Sequence, residues 1–401
     1  MKTRVSSPAR SVPEPVTRRT LRPAATAAVG TAAVAGTALT AAEIAQQERQ
    51  SRAASIRRDY ATLEASAQLS DVFQDIGRFD SRLTALPSEV DEMRERGYVH
   101  AGQLEDQIAA LDEAWDEVRP RVEQTLRAQV DMLNADLANA RNIVSRMSAN
   151  NSTSLNAAET NVNSLEQKIN AARRAVNGLY DGLQTQLHDI DDAMDRVDWM
   201  LDQFETADVE LRETEGPLAA GDAEWHRSGD EGPKGMLLLT DQRLLFEQRE
   251  EVATKKVLGL ITTDSETLKK MLVQFEVKHI DQFRDLEEKS GFLGMGKDEI
   301  LEMVLSAEAQ ISRARFHLLD QDSTAWAMLI RRVKSGEIDE DRAEEYLTEV
   351  GDADALAAAF PEQCPNCFGS MPEVPRGIAS IVCEFCGSVV TASVPSPVDA
   401  K

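Results

Sequence analysis

From about Glu43 to Leu211 apolar residues recur at intervals of three and four. The clearest run is Val162, Leu165, Ile169, Ala172, Val176, Leu179 and Leu183, the a/d seam of a coiled coil. After one four-four step the seam resumes at Leu187, Ile190, Met194, Val197, Leu201 and Phe204. Such a step is a stutter, which locally unwinds a supercoil. A second seam is Leu104, Ile108, Leu111, Trp115, Val118 and Val122, and a looser one is Phe73, Ile76, Phe79, Leu83 and Leu86. Pro87-Ser88 predicts a helix end and a new start, and Ser148 to Thr153 is a turn cluster. The pattern therefore predicts helices over 43–85, 88–148 and 154–210, the last two folded back as an antiparallel hairpin. Pro120 should kink the second. An extended parallel dimer satisfies the same seams. The acids Asp189, Asp191, Asp192 and Asp195 read as a solvated face.

At Gly216-Pro217 the period changes. Met236–Thr240 and Arg243–Gln248 are apolar runs joined at Asp241-Gln242, a β-hairpin signal. Alternation follows at Val273, Phe275, Val277, then at Leu301, Met303, Leu305, and again at Ala314, Phe316, Leu318; strict alternation marks half-buried strands. Gly291 to Gly296 reads as a turn between strands. Trp326, Leu329, Ile330 and Val333 share one helical face after a start signal at Asp322-Ser323. The stretch LLLTDQRLLFEQ, followed by later strands and a Trp-bearing helix, resembles the GRAM and bacterial pleckstrin-homology-like (PH-like) domains over residues 218–335. The resemblance implies a curved sheet closed at one end by a helix and used for lipid or protein binding. Lys255, Lys256, Lys269 and Lys270, placed in the connection after the hairpin, are the nearest candidates for an anionic ligand and read most simply as solvated loop lysines. Beyond Gly336, SGEIDEDRAEEYL resembles the bacterial short C-terminal domain and predicts a short acidic helix and linker over 336–360.

Two further motifs fail on chemistry. Gly291 to Lys297 satisfies GxxxxGK, but Asp298 stands where a phosphate loop needs a Ser or Thr hydroxyl for Mg²⁺, and its charge repels phosphate. The histidines at 100, 188, 226, 279 and 317 are scattered and form no HExxH; each reads as a surface or boundary residue rather than a catalyst.

All four cysteines fall in the tail. Cys364-Pro-Asn-Cys367, fifteen residues, then Cys383-Glu-Phe-Cys386 supply two turns that each present two sulfurs to one point. Gly369 and Gly387 permit the tight backbone such turns need, and Ile378, Ser380 and Val382 form a strand entering the second. The segment 361–392 resembles a zinc ribbon. Four thiolates complete a tetrahedral shell, so the implied Zn²⁺ is structural. A redox dithiol pair is the alternative use of two CxxC motifs. Some zinc ribbons bind nucleic acid, but here Arg376 stands against Glu362, Glu373 and Glu384, so the phosphate-binding term is missing.

Composition sharpens this picture. Aromatics are only 5% and the net charge is -25, which suits long exposed helices and disfavours nucleic acid or anionic lipid as a non-specific partner. The N-terminus differs: residues 1–22 carry six Lys or Arg against Glu14, and Pro23 to Ala42 is uncharged. Its length fits a membrane span while its composition is poor in large aliphatics. A disordered tail, a membrane helix and a targeting signal with a partial twin-arginine match all remain open for 1–42.

The expected architecture is a multidomain α+β chain. It comprises the 1–42 tail or membrane segment, a helical coiled-coil region over 43–215, a small PH-like β domain with a C-terminal helix, the 336–360 linker, a zinc ribbon over 361–392 and a disordered tail over 393–401. The expected function is a non-enzymatic scaffold or adaptor. It is a homo-oligomer through the coiled coil, with a protein or lipid partner on the PH-like domain. It is cytoplasmic, membrane-associated through residues 23–42, and by analogy of architecture concerned with envelope maintenance. The alternatives are a metal- or nucleotide-dependent enzyme and a nucleic-acid-associated regulator. No catalytic or cofactor-binding residue is assigned; Cys364, Cys367, Cys383 and Cys386 are the metal ligands.

Overall fold

The computed structural model describes residues 40–227, 229, 231–257, 261–290 and 296–392. The basic N-terminal segment, most of the uncharged stretch after it, the turn after Ser290 and the final tail lie outside the described residues. Among the described residues no helix is long and apolar enough to cross a membrane.

Five helices form the first half: α1 (Ala41–Ser66), α2 (Ser70–Glu95), α3 (Leu104–Arg146), α4 (Ser152–Asn177) and α5 (Asp181–Thr206). Local signals set several ends. Thr40 and Glu43 form a reciprocal capping box on α1. Asn151 accepts from the Thr153 and Ser154 amides at 3.0 and 3.2 Å, closing the predicted turn before α4. At 43 residues α3 spans about 65 Å, and α4 runs back along it as the expected hairpin. The apolar seams face other helices of the same chain: Leu165, Ile169 and Val176 are buried together with Ile108, Leu111, Val122 and Leu126.

Three predicted boundaries are corrected. The first helix does not run through to residue 85; it breaks at Ala67–Leu69, where Leu69 takes a left-handed φ of 48°. Both residues are completely buried, so tertiary packing fixes a turn that carries no Gly or Pro. Pro87 does not end a helix. It sits inside α2, where Leu83, Leu86, Val90 and Met93 form one buried face and offset its cost. The helix instead ends at Gly97, with φ 91°, a left-handed cap that glycine adopts without strain. The 154–210 helix is two helices, split at Gly178–Tyr180, immediately before the stutter. Tyr180 there packs 5.7 Å from Trp115 and 6.1 Å from Phe79, which lie 4.7 Å from each other. The change of phase is thus a corner around an aromatic cluster.

The second half is a seven-stranded antiparallel sheet of β1 (Pro217–Trp225), β2 (Lys234–Thr240), β3 (Arg243–Val257), β4 (Ile261–Glu276), β5 (Ile280–Ser290), β6 (Gly296–Leu305) and β7 (Arg313–Leu318), in the order β4-β3-β2-β1-β7-β6-β5. Helix α6 (Ser323–Ser335) starts at Asp322, which accepts from the Thr324 amide at 2.8 Å, and ends at Gly336 with φ 80°. Its Trp326 and Ile330 pack on Phe246, Phe275, Leu301, Met303 and Phe316. This is the curled sheet with a terminal helix that the PH-like resemblance implies. Met236 to Leu239 are buried without alternation, because β2 is covered on both faces: Leu237 and Leu239 face α6, while Met236, Leu238 and Leu245 join the core of the helical bundle. Lys255, Lys256, Lys269 and Lys270 lie within β3 and β4 rather than in a connection, and Lys269 donates to the Thr206 carbonyl at 2.6 Å. Gly296 and Lys297 open a strand rather than a helix, and the Lys297 amine binds Glu287 at 2.5 Å; the rest of the GxxxxGK stretch lies outside the described residues.

The chain continues through a short 3-10 turn (Asp339–Asp341) into α7 (Glu344–Ala358), so the helix lies later than the expected EIDEDRAEEYL stretch; a two-stranded sheet of β8 (Ser380–Val382) and β9 (Val389–Thr391) follows.

Candidate metal centre

Each CxxC forms a tight turn closed by its own backbone. In the first, the Cys364 amide donates to the Gly369 carbonyl at 2.8 Å and the Phe368 amide to the Cys364 carbonyl at 2.9 Å. In the second, the Cys383 amide donates to Ser388 at 2.9 Å and the Gly387 amide to Cys383 at 2.8 Å. The left-handed residue falls four positions after the leading cysteine in both, Gly387 at φ 72° and Phe368 at φ 59°. Gly369 is therefore not the residue that relieves the first turn. It is needed for another reason: a Cβ there would lie 2.5 Å from the Phe385 ring.

The two turns face each other and bring the four cysteines together, with all four sulfurs within 4.8 Å of one another. Cys364 and Cys386 sulfurs are 3.7 Å apart, as are those of Cys367 and Cys383. No disulfide joins them. Zn–S bonds of about 2.3 Å set tetrahedral S···S edges of about 3.8 Å, so the spacing suits a single tetrahedral ion. The Asn366 and Cys367 amides pull the Cys364 thiol down to about 6, and the Ser388 hydroxyl and amide lower that of Cys386, while, despite the opposing Gly369 amide, the neighbouring cysteine sulfurs push the Cys367 thiol up to about 12: without an ion the four sulfurs share protons, and a cation among them would favour the thiolates. Among the described residues the buried cluster at the site is Cys364, Cys383 and Val390, with Met371 and Ile381 against it.

The tail is also fixed to the rest of the molecule by charge. Arg376, only 9% exposed, reaches Asp241 at 2.6 Å and Asp339 at 3.1 Å. Arg342 binds the same Asp241 carboxylate and the Thr214 carbonyl. Asp241, fully buried at its side chain, also accepts the Gly216 amide at 2.9 Å. The β2–β3 turn, the strand-entry segment, the linker and the ribbon-like tail thus converge on one carboxylate. His100 packs beside them, and burial and the two arginines hold its pKa down to about 3. Sequence reasoning counted Arg376 as a surface charge and Asp241 as a turn residue. Their partners lie 135 positions apart, and no local signal connects them.

Of the five histidines, His226 and His317 come together across β1 and β7, their rings 5.8 Å apart. Asp191 is engaged by Arg82 at 2.7 Å.

No family model and no curated relative matches the chain. Solved structures to which it is similar include the DH/PH domains of p115-RhoGEF, at 12% identity over 74% of this chain and 95% of that one, with a TM-score of 0.21. The DH/PH domain of human ARHGEF11 in a complex with human RhoA and its inhibitor gives 13%, 74%, 96% and 0.25. The DH/PH fragment of PDZRHOGEF in complex with human RhoA gives 14%, 74%, 96% and 0.24. At such TM-scores the superpositions carry no argument, and the PH-like character rests on the strand order and terminal helix described above.

Proposed function

We propose that the chain is a non-enzymatic adaptor in which a helical bundle, a PH-like sheet of the GRAM type and a zinc ribbon are fixed as one body and present binding surfaces to a protein or lipid partner. The observation that carries this reading is the four-sulfur site, two of whose S···S separations are 3.7 Å and all of whose sulfurs lie within 4.8 Å of one another. A Zn²⁺ held by Cys364, Cys367, Cys383 and Cys386 has no open position for water or substrate, so it acts on structure. Its binding free energy, on the order of 10 kcal/mol for such sites, supplies what a core of three buried residues cannot.

The role of the bundle follows from its packing. Apart from Phe73, the seams are covered within the chain, so the helices act first as a rigid support. Self-association, if it occurs through them, uses the large apolar residues left outward, Phe73, Met132 and Trp199, which are 51%, 54% and 41% exposed. Membrane attachment belongs to residues 23–42 and cytoplasmic placement to the reduced thiols; a role in envelope maintenance is the biological setting in which the two would meet.

The test is Cys383→Ser in the full chain. Zinc should be lost and the tail should become sensitive to protease, while helical content and the sheet survive. Full zinc occupancy in that variant would remove the reading.

A further inference from the structure

Among the described residues, one other group of metal-ligating side chains closes to within 4.8 Å: Glu224, His226 and His317. Glu224 stands on β1, His226 directly follows that strand, and His317 stands on β7. Glu224 and His317 are directly opposed in the ladder, and His226 lies two positions beyond Glu224, so the period of two puts all three on one face. Trp225 between them points to the opposite side, into the sheet core. The His226 amide is fixed by the Arg315 carbonyl at 2.8 Å. The group is well enclosed: the side chains of His226, Glu224 and His317 are 5%, 12% and 21% exposed.

We propose that Glu224, His226 and His317 form a second metal site, taking one Zn²⁺ with a fourth position open to water or an exogenous donor. The donor set decides the class of ion. Two imidazoles and a carboxylate suit a borderline divalent transition ion and not Mg²⁺ or Ca²⁺, which take oxygen shells. The spacing is near that required. His226 Nε2 lies 3.7 Å from Glu224 Oε1, and bonds of about 2.1 Å give tetrahedral edges of about 3.4 Å. The supporting shell is present too. The Gly232 amide donates to Glu224 Oε1 at 2.7 Å, leaving that carboxylate further lone pairs. Asp298 Oδ1 lies 3.5 Å from His317 Nε2, as expected of a carboxylate that orients a ligating imidazole. Lys234 is 3.9 Å from Glu224 and largely exposed, so its amine can swing into solvent, and the nearby Arg315 guanidinium is paired with Glu288.

The position gives the ion a task. β1 pairs with β2 along most of its length but meets β7 through only Ala223, Glu224 and Trp225. That short ladder is where the β4-β3-β2-β1 half of the sheet joins the β7-β6-β5 half. An ion bonded to both strands clamps this join.

The experiment uses the full chain carrying one equivalent of Zn²⁺ at its cysteines, dialysed against buffered free Zn²⁺. One further equivalent should bind, and both Glu224→Gln and His317→Gln should abolish it while retaining the first. Co²⁺ in the second site should show ligand-field absorption without the thiolate band that marks the cysteine site, so loss of one site is distinguishable from loss of the other. Because a sheet variant can fail to fold, the unsubstituted chain is followed in parallel by the ring-proton resonances of its histidines; two should shift with the further equivalent. Absence of a further equivalent, its retention in both variants, or ring signals that stay in place would each overturn the proposal.

Discussion

Single residues carry unequal loads in this molecule. Phe368 and Gly387 occupy the same left-handed position in the two metal turns, and only one of them is suited to it. A residue with a Cβ is disfavoured there by roughly 1–2 kcal/mol. Gly387→Ala should therefore destabilise the tail by about that amount, and Phe368→Gly should stabilise it by a similar or smaller margin; thermal melts of the zinc-loaded protein measure both. His100 gives a pH dependence. Its pKa is depressed from 6.5 to about 3 on folding, so the unfolded chain binds a proton that the folded one refuses. Stability from this group is fully present above pH 6.5 and is lost as pH falls toward 3, by up to ~1.4 kcal/mol per pH unit. His100→Gln should flatten that acid slope in urea titrations, and an unchanged slope would contradict it. The four-cysteine cluster was legible at this scale because CxxC spacing is a local chemical signal. His100, Asp241 and the Glu224–His226–His317 group were not, because strands and loops distant in sequence bring them together.

At the scale of elements, apolar periodicity announced helices and strands but not all of their ends. The helix pair α3–α4, the β2–β3 hairpin and α6 follow from seams, alternation and caps. The break at Leu69 does not, because a buried leucine forced left-handed has no signature. Gly97 and Gly178 did mark true ends; the seam Val176, Leu179, Leu183 ran on through Gly178 and masked that break, while Pro87 drew the earlier boundary away from Gly97. β1 and β5 escaped for a different reason: one holds small residues and the other many charges, so neither shows clean alternation. The corner at Tyr180 depends on Trp115, which is 1% exposed and touches both other rings. Trp115→Ala should cost about 3–5 kcal/mol, seen as a lowered melting temperature with zinc content unchanged.

For the whole molecule, the question is what makes three structural units one body. Contacts on two sides contribute. Leu238 and Leu245 on the sheet join the bundle core, and Glu247, buried, accepts the Asp208 amide at 2.7 Å and pairs with Arg249 at 2.6 Å. On the other side Asp241 gathers Arg342 and Arg376. Removing one partner of a buried ion pair costs about 3–5 kcal/mol, so Asp241→Ala should release the tail to protease while its zinc stays bound, which separates docking from metal binding. Docking in turn presumes a folded tail, and on the proposed reading the fold of the tail rests on a metal at the four cysteines. Zinc-edge X-ray absorption on the full chain loaded with a single equivalent tests this most directly. The account predicts one shell of four sulfurs at about 2.3 Å; nitrogen or oxygen ligands in that first shell would contradict it.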